Sequence, residues 1–289
     1  MYEAKEDSFA GPGFTKRERE IATPQGKTRI TTIVCEPLEK AGFLNAFSTR
    51  LGGVSPLPSN ALSLAYFKGD ERNNVDENRR RFLTAIGAEQ TRIVTARQTH
   101  STERITIEST DQAGGPQPNC DALITRLPGV LLGVQTADCL PVLIGDPKSG
   151  AMAAIHAGWR GTAGRITERA VADLMLTQGV NPRECVAALG PAACAECYEV
   201  GEDVIVRYKK EFGYWRQLLV NFKADKAHLD IQAANIQQLI FCGFHPDRIH
   251  VSDYCTMHQN ELFFSYRREG RGQPSGVGRS LSVIGKVRQ

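Results

Sequence analysis

Three metal-liganding side chains constrain this chain more than any other feature: His100, Cys139 and His156 lie 39 and 17 residues apart. Neighbours on a helix face are three or four positions apart, so no helix can present two of them together. Each ends an apolar run instead, in Gln98-Thr99-His100, Ala137-Asp138-Cys139 and Ile155-His156-Ala157-Gly158-Trp159-Arg160-Gly161. If they converge, separate strands or turns of one sheet must deliver them. Two imidazoles and a thiolate are what zinc takes when a fourth position stays open for water or substrate. The competing reading makes Cys139 a buried core thiol and the histidines hydrogen-bonded polar groups. Taken singly the cysteine favours that, because cysteine is among the most buried residue types. Taken jointly, beside glycine-rich turns, the three favour a metal.

The pattern around them predicts a mixed fold. Short β-branched or apolar runs at 30–34, 43–47, 92–96, 130–134, 140–144, 151–155, 185–189, 249–252, 262–266 and 281–284 read as strands. Helical spacing marks 75–86, 200–212 and 231–242, and a helix is expected to open at His156-Ala157-Gly158-Trp159 and close at Gly179. The strict strand–helix alternation of a doubly wound sheet is missing, so an α/β (α+β) single domain with mixed sheets is expected. Residues 1–29 are rich in charge, Gly and Thr and read as a loosely ordered polar extension; residues 30–289 read as the catalytic domain. The long irregular stretch 56–70 follows a Gly52-Gly53 pair and suits a functional loop.

Composition narrows the function classes. A net charge of +3 from scattered basic residues gives no concentrated nucleic-acid footprint. No apolar run reaches the roughly 18 residues needed to cross a bilayer, and the first thirty residues lack a signal-peptide core. A cytoplasmic location is therefore expected, with the eight cysteines mostly reduced.

Seven segments occur in order: Phe-Ser-Thr-Arg-Leu-Gly-Gly-Val-Ser at 47–55, Gln98-Thr99-His100, Cys-Asp-Ala-Leu-Ile-Thr at 120–125, Thr-Ala-Asp-Cys-Leu-Pro-Val at 136–142, His-Ala-Gly-Trp-Arg-Gly at 156–161, Gly190-Pro191 with Tyr198-Glu199-Val200-Gly201, and Phe-Ser-Tyr-Arg-Arg at 264–268. From about residue 43 onward the chain resembles the laccase-domain family, named as polyphenol oxidases and as purine nucleoside phosphorylases. The resemblance implies an α/β/β/α sandwich and one metal, usually zinc, on His100, Cys139 and His156. It also implies phosphorolysis of adenosine, inosine, guanosine and S-methyl-5'-thioadenosine, with adenosine deamination beside it. The activities would be those of a glycosyltransferase and a hydrolase, with purine nucleosides and phosphate as partners. The extension before residue 30 and the Cys194-Ala195-Glu196-Cys197 segment depart from the family pattern.

Phosphorolysis needs an anion anchor and an acid for the departing base. Arg50 is the expected phosphate anchor, since a guanidinium fork matches phosphate oxygens and the adjacent glycines admit a ligand. Arg160 could assist at a helix start or pair structurally with a carboxylate. Asp138 and Asp121 could act as acid or base, or hold a ligand histidine in its tautomer. Gln98 is expected to face the His100 crevice, as a substrate contact or a brace.

Other functions fit the same residues. One is a laccase-like polyphenol oxidase, with copper competing for a His-Cys-His site. Six histidines in all argue against several coppers. Another is a zinc amidase editing peptidoglycan precursors, with Cys139 as nucleophile in one variant. Cys194 and Cys197, with Cys185, could also form a structural metal or redox module. The His-x-Glu and Pro-Cys-x-x-Cys pattern of zinc nucleobase deaminases is absent.

Overall fold

A computed structural model of the chain describes residues 11–24, 26–57, 60–67, 69–270 and 276–286. The N-terminal half forms β1 (Phe14–Thr23), β2 (Gly26–Cys35), α1 (Glu36–Lys40), β3 (Leu44–Ser48), α2 (Arg72–Ile86), β4 (Arg92–Thr95), β5 (Arg104–Thr106), α3 (Thr110–Gly114), β6 (Ala122–Thr125) and β7 (Val130–Thr136). Next come β8 (Leu140–Gly145), β9 (Met152–Ala157), α4 (Trp159–Ala163), α5 (Ile166–Gln178), β10 (Val186–Leu189), β11 (Glu199–Val200) and α6 (Glu202–Glu211). The chain continues through β12 (Leu219–Lys223), β13 (Lys226–Leu229), α7 (Ile231–Phe241), β14 (Ile249–Val251), α8 (Tyr266–Glu269) and β15 (Ser280–Gly285).

Two six-stranded mixed sheets carry the fold, in the orders β1-β2-β3-β15-β7-β4 and β14-β10-β8-β9-β6-β5, with β11, β13 and β12 in a small third sheet. Period-two alternation decides how the large sheets pack. Along β9, Met152 and Ala154 face one way and join Phe47, Leu132, Val134 and Ile284 of the first sheet. Ala153 and Ile155 face the other way, against Ile166, Ala170 and Leu174 of α5 and Leu239 of α7. Phe82 of α2 covers the outer face of the first sheet, against Ala46, Leu281 and Val283. The layers are therefore α/β/β/α. Each fully buried Leu, Ile or Phe contributes about 1.5–3 kcal/mol, so both interlayer faces are strongly specified.

Three readings of the sequence need correction. Residues 14–23 and 26–29 belong to the β1–β2 hairpin, paired in register from Phe14–Cys35 to Thr23–Gly26. The charges that suggested loose order are those of an edge strand, where Lys16, Arg17, Glu18, Arg19 and Glu20 guard an exposed rim; residues 1–10 lie outside the described ones. The run at 262–266 is not a strand. Phe263 and Phe264 are buried in different clusters, and Ser265 caps α8 by accepting from the Arg268 amide. The helix expected to open at His156 begins at Trp159, and left-handed Arg165 (φ 62°) divides it into α4 and α5. His156 stays on strand β9.

Candidate metal centre

Sheet register brings the distant residues together. In the antiparallel β8–β9 pair, Pro141 lies opposite His156, so Cys139, two residues earlier, reaches the same end. On the other side of β9, Ala122 of β6 lies opposite Ile155, and the Asp121 carbonyl accepts the His156 amide at 2.7 Å. By alternation Cys139, His156 and Asp121 point to the face shared with the first sheet. His100 arrives from the segment crossing from β4 in the first sheet to β5 in the second. The segment from β7 to β8 makes the same crossing and ends on Cys139. The centre thus forms where the chain passes twice between sheets.

The candidate donor atoms of His100, Cys139 and His156 all lie within 4.8 Å of one another. His100 Nε2 is 3.8 Å from Cys139 Sγ, and the two imidazoles meet edge to face with centroids 4.8 Å apart. Two ligands of a tetrahedral zinc sit about 3.4–3.8 Å apart, given bonds of about 2.3 Å to sulfur and 2.0–2.1 Å to nitrogen. The donor set and spacing fit such an ion. Gly158 leaves the room it needs: a Cβ there would stand 2.9 Å from His100 Cδ2 and 3.2 Å from Cys139 Sγ.

Asp121 organises the cluster. Its carboxylate accepts the amides of Thr99, His100 and Ser101 at 3.2, 3.0 and 2.8 Å, the Ser101 hydroxyl at 2.7 Å and His156 Nδ1 at 2.8 Å. These contacts hold His100 in a left-handed conformation (φ 59°), unusual for a residue with a Cβ, and leave His156 Nε2 for a metal. Burial opposes ionisation of Asp121, but hydrogen bonds from His156 and Ser101 outweigh it and hold the carboxyl well below its ordinary range. Burial likewise opposes the Cys139 thiolate. The charge of His156 and the hydrogen bond to His100 still draw the thiol down; burial disfavours charge on His156 too, but the Cys139 thiolate and Asp121 push it up.

The centre borders a cavity of about 560 Å³ that Gln98, Arg160 and Asp138 also line. Gln98 is a brace, since its amide exchanges two 2.7 Å hydrogen bonds with the Gln135 backbone on β7. Asp138 (φ 87°) is buried, and its two oxygens accept from Thr256 Oγ1 and the Arg267 amide at 2.7 and 2.6 Å. It shapes the turn into Cys139, and burial pushes its carboxyl up against the hydrogen bonds from Thr256 and Arg267 that lower it. Arg160 stacks on Trp159, 4.2 Å from the ring, and among the described residues no carboxylate pairs with it.

Arg50 is not brought to this cavity. It is buried, and Nη1 donates to Asn260 O and Glu269 Oε1 at 2.9 and 2.7 Å, tying the Gly52-Gly53 turn to α8 and the segment before it. The phosphate-anchor expectation for Arg50 is therefore corrected to a structural one. Arginines that reasoning from sequence did not single out, Arg97, Arg267 and Arg279, line the cavity instead, beside Tyr66, Tyr198 and Tyr266. Tyr198 and Arg267 lie in segments already noted for the family resemblance; Arg97 is adjacent to Gln98 and carried no separate signal.

Fold and site together define a metal-ligand cluster seated at the end of an α/β/β/α sandwich. The family described as "Multi-copper polyphenol oxidoreductase laccase" matches residues 44–286, and the chain belongs to it. It is 38% identical over 246 residues to a purine nucleoside phosphorylase of Deinococcus radiodurans, covering 85% of this chain and 90% of that protein. It is 36% identical over 247 residues to adenosine deaminase RL5 of an unknown prokaryotic organism, covering 81% and 94%. The crystal structure of YlmD from Geobacillus stearothermophilus superposes with a TM-score of 0.82 at 30% identity, covering 89% of this chain and 96% of that one. No helix among the described residues is long and apolar enough to cross a membrane.

Proposed function

We propose that this chain is a zinc-dependent purine nucleoside phosphorylase acting on adenosine, inosine, guanosine and S-methyl-5'-thioadenosine, with adenosine deaminase activity at the same centre. The observation that carries the reading is an open three-donor cluster in a cavity rimmed by guanidiniums. Among the described residues, Arg97 and Arg160 have no carboxylate partner, and both are exposed. A phosphate beside the ribose would be held by such cations; charge-assisted hydrogen bonds of this kind contribute about 1.5–3 kcal/mol each. The names of the relatives support the same pair of activities.

His100, Cys139 and His156 would hold the zinc, which when bound supplies Lewis acidity towards a substrate oxygen or nitrogen. The protein's own groups orient the reactants. Asp121 fixes both histidines, Asp138 sets the approach to Cys139, and Arg267 closes the wall through Tyr198, 4.9 Å away, and the Glu199 carbonyl. In phosphorolysis a phosphate oxygen bonds to C1′ of the ribose as the C1′–N9 bond breaks, and the base leaves with a proton. A cytoplasmic location, where thiols stay reduced, suits a cysteine ligand.

Incubation of the purified protein with adenosine, with and without phosphate, tests the reading. Free adenine and ribose 1-phosphate only with phosphate, and inosine without it, are expected. No turnover of any purine nucleoside, with turnover of a phenol or an amide instead, would overturn it in favour of the oxidase or the amidase.

A further inference from the structure

We infer that the chain carries a second, structural zinc site, formed by Cys194, Cys197, Cys255 and His258. The four side chains offer donor atoms that all lie within 4.8 Å of one another. His258 lies 3.1 Å from Cys197 Sγ through Nε2 and 3.8 Å from Cys194 Sγ through Nδ1. Cys185, grouped with the Cys-x-x-Cys segment on sequence alone, is buried in the core with α5 and takes no part.

The backbone explains why these four meet. Cys194 and Cys197 are the ends of one tight turn, closed by the Cys197 amide donating to the Cys194 carbonyl at 3.0 Å. Cys255 and His258, at the same separation, lie in a second turn, where the Gln259 amide donates to the Cys255 carbonyl at 2.9 Å. A parallel bridge between Ala192 and Cys255 lays the turns side by side. The Cys194 amide points at Cys255 Sγ at 3.4 Å, the contact a thiolate accepts. Paired turns carrying Cys-x-x-Cys and Cys-x-x-His form the Cys3His set of a structural zinc site. With four protein donors, no position is left for substrate.

The knot has a defined place in the molecule. Just beyond Ala192, the Ala193 amide donates to the Asp138 carbonyl at 3.0 Å, and Thr256, next to Cys255, donates to the Asp138 carboxylate. Tyr198, next to Cys197, lines the cavity of the first centre. A metal here fastens two irregular segments that otherwise have few ladder hydrogen bonds, and sets the wall behind Cys139. Its role is positional.

Metal analysis of the full chain, dialysed against reductant and trace zinc, tests this. Two zinc ions per chain are expected for the parent, and one for Cys194→Ser/Cys197→Ser. His258→Ala, altering an exposed residue, should also retain one, and His258→Cys should restore two. On cobalt substitution, the thiolate charge-transfer absorption should fall to about a quarter in the double serine variant, since three of four thiolate ligands belong to this site. Far-UV circular dichroism identifies folded variants, and His258→Ala decides if the double variant does not fold. One zinc in the parent, an unchanged zinc count in the folded variants, or a disulfide among Cys194, Cys197 and Cys255 under reducing conditions would overturn the inference.

Discussion

Asp121 Oδ1 stands 2.8 Å from His156 Nδ1, and the same carboxylate accepts the amide of His100. One buried side chain thus fixes the ring of one ligand and the backbone of another. Asp121→Asn should weaken zinc binding at this centre about 10–100-fold, the usual cost of losing a group that orients a ligand. Competition with a chromophoric chelator measures it, with circular dichroism as the control for folding. Unchanged affinity in a folded variant would show that the histidines orient themselves.

Gly158 is needed for space. A methyl group there intrudes on both His100 and Cys139. Gly158→Ala should keep the fold but lose metal from this centre, seen as one zinc equivalent fewer and little remaining turnover. A fully loaded, active variant would mean that the two ligands can move aside.

Removal of the metal should expose the chemistry of Cys139. Burial opposes its thiolate but His156 and His100 draw the thiol down on balance, so chelated protein should react at Cys139 with iodoacetamide near neutral pH, faster than an ordinary thiol. Peptide mapping locates the adduct, and added zinc should protect. Equal labelling with and without zinc contradicts the ligand assignment.

The arginines should separate by role. Arg160→Ala should raise the KM for phosphate about tenfold or more while sparing phosphate-independent deamination, because only phosphorolysis needs the anion. Arg50→Ala should destabilise the protein by about 3 kcal/mol in urea unfolding, since it strands Glu269 beside a buried turn. The reverse pattern would restore Arg50 as the anchor.

These assignments mark where the sequence was informative. His100, Cys139 and His156 were legible because each falls at the end of an apolar run, where a strand delivers its side chain out of the core. Arg50 misled because a guanidinium beside glycines looks the same whether it faces phosphate or two backbone carbonyls and the Glu269 carboxylate. Cys194 and Cys197 were visible as a pair, but their partners Cys255 and His258 are about sixty residues on and are joined only by a tertiary bridge. The β1–β2 hairpin was hidden by its charged edge, and 262–266 imitated a strand because consecutive phenylalanines serve two cores.

Acid stability offers an independent check on the helix that braces the Gly52-Gly53 turn. Hydrogen bonds from Arg80, then Arg81, hold Glu77 at about 2 against the opposing effect of burial. Arg81 in turn donates to the Gly52 carbonyl. A folded pKa below the free value of about 4.3 means a contribution present above that pH and lost as pH falls towards the folded value. The stability gap between parent and Glu77→Gln should be full near pH 6 and close towards pH 2. A gap independent of pH would assign the effect to packing.

Cys139→Ala, assayed for zinc content and for adenosine phosphorolysis on the same preparation, separates a metal-dependent phosphorylase from its rivals. Loss of one zinc equivalent and of turnover together, with the fold intact, is expected. Full zinc content, or phosphorolysis at the parental rate, would contradict a metal-dependent phosphorylase.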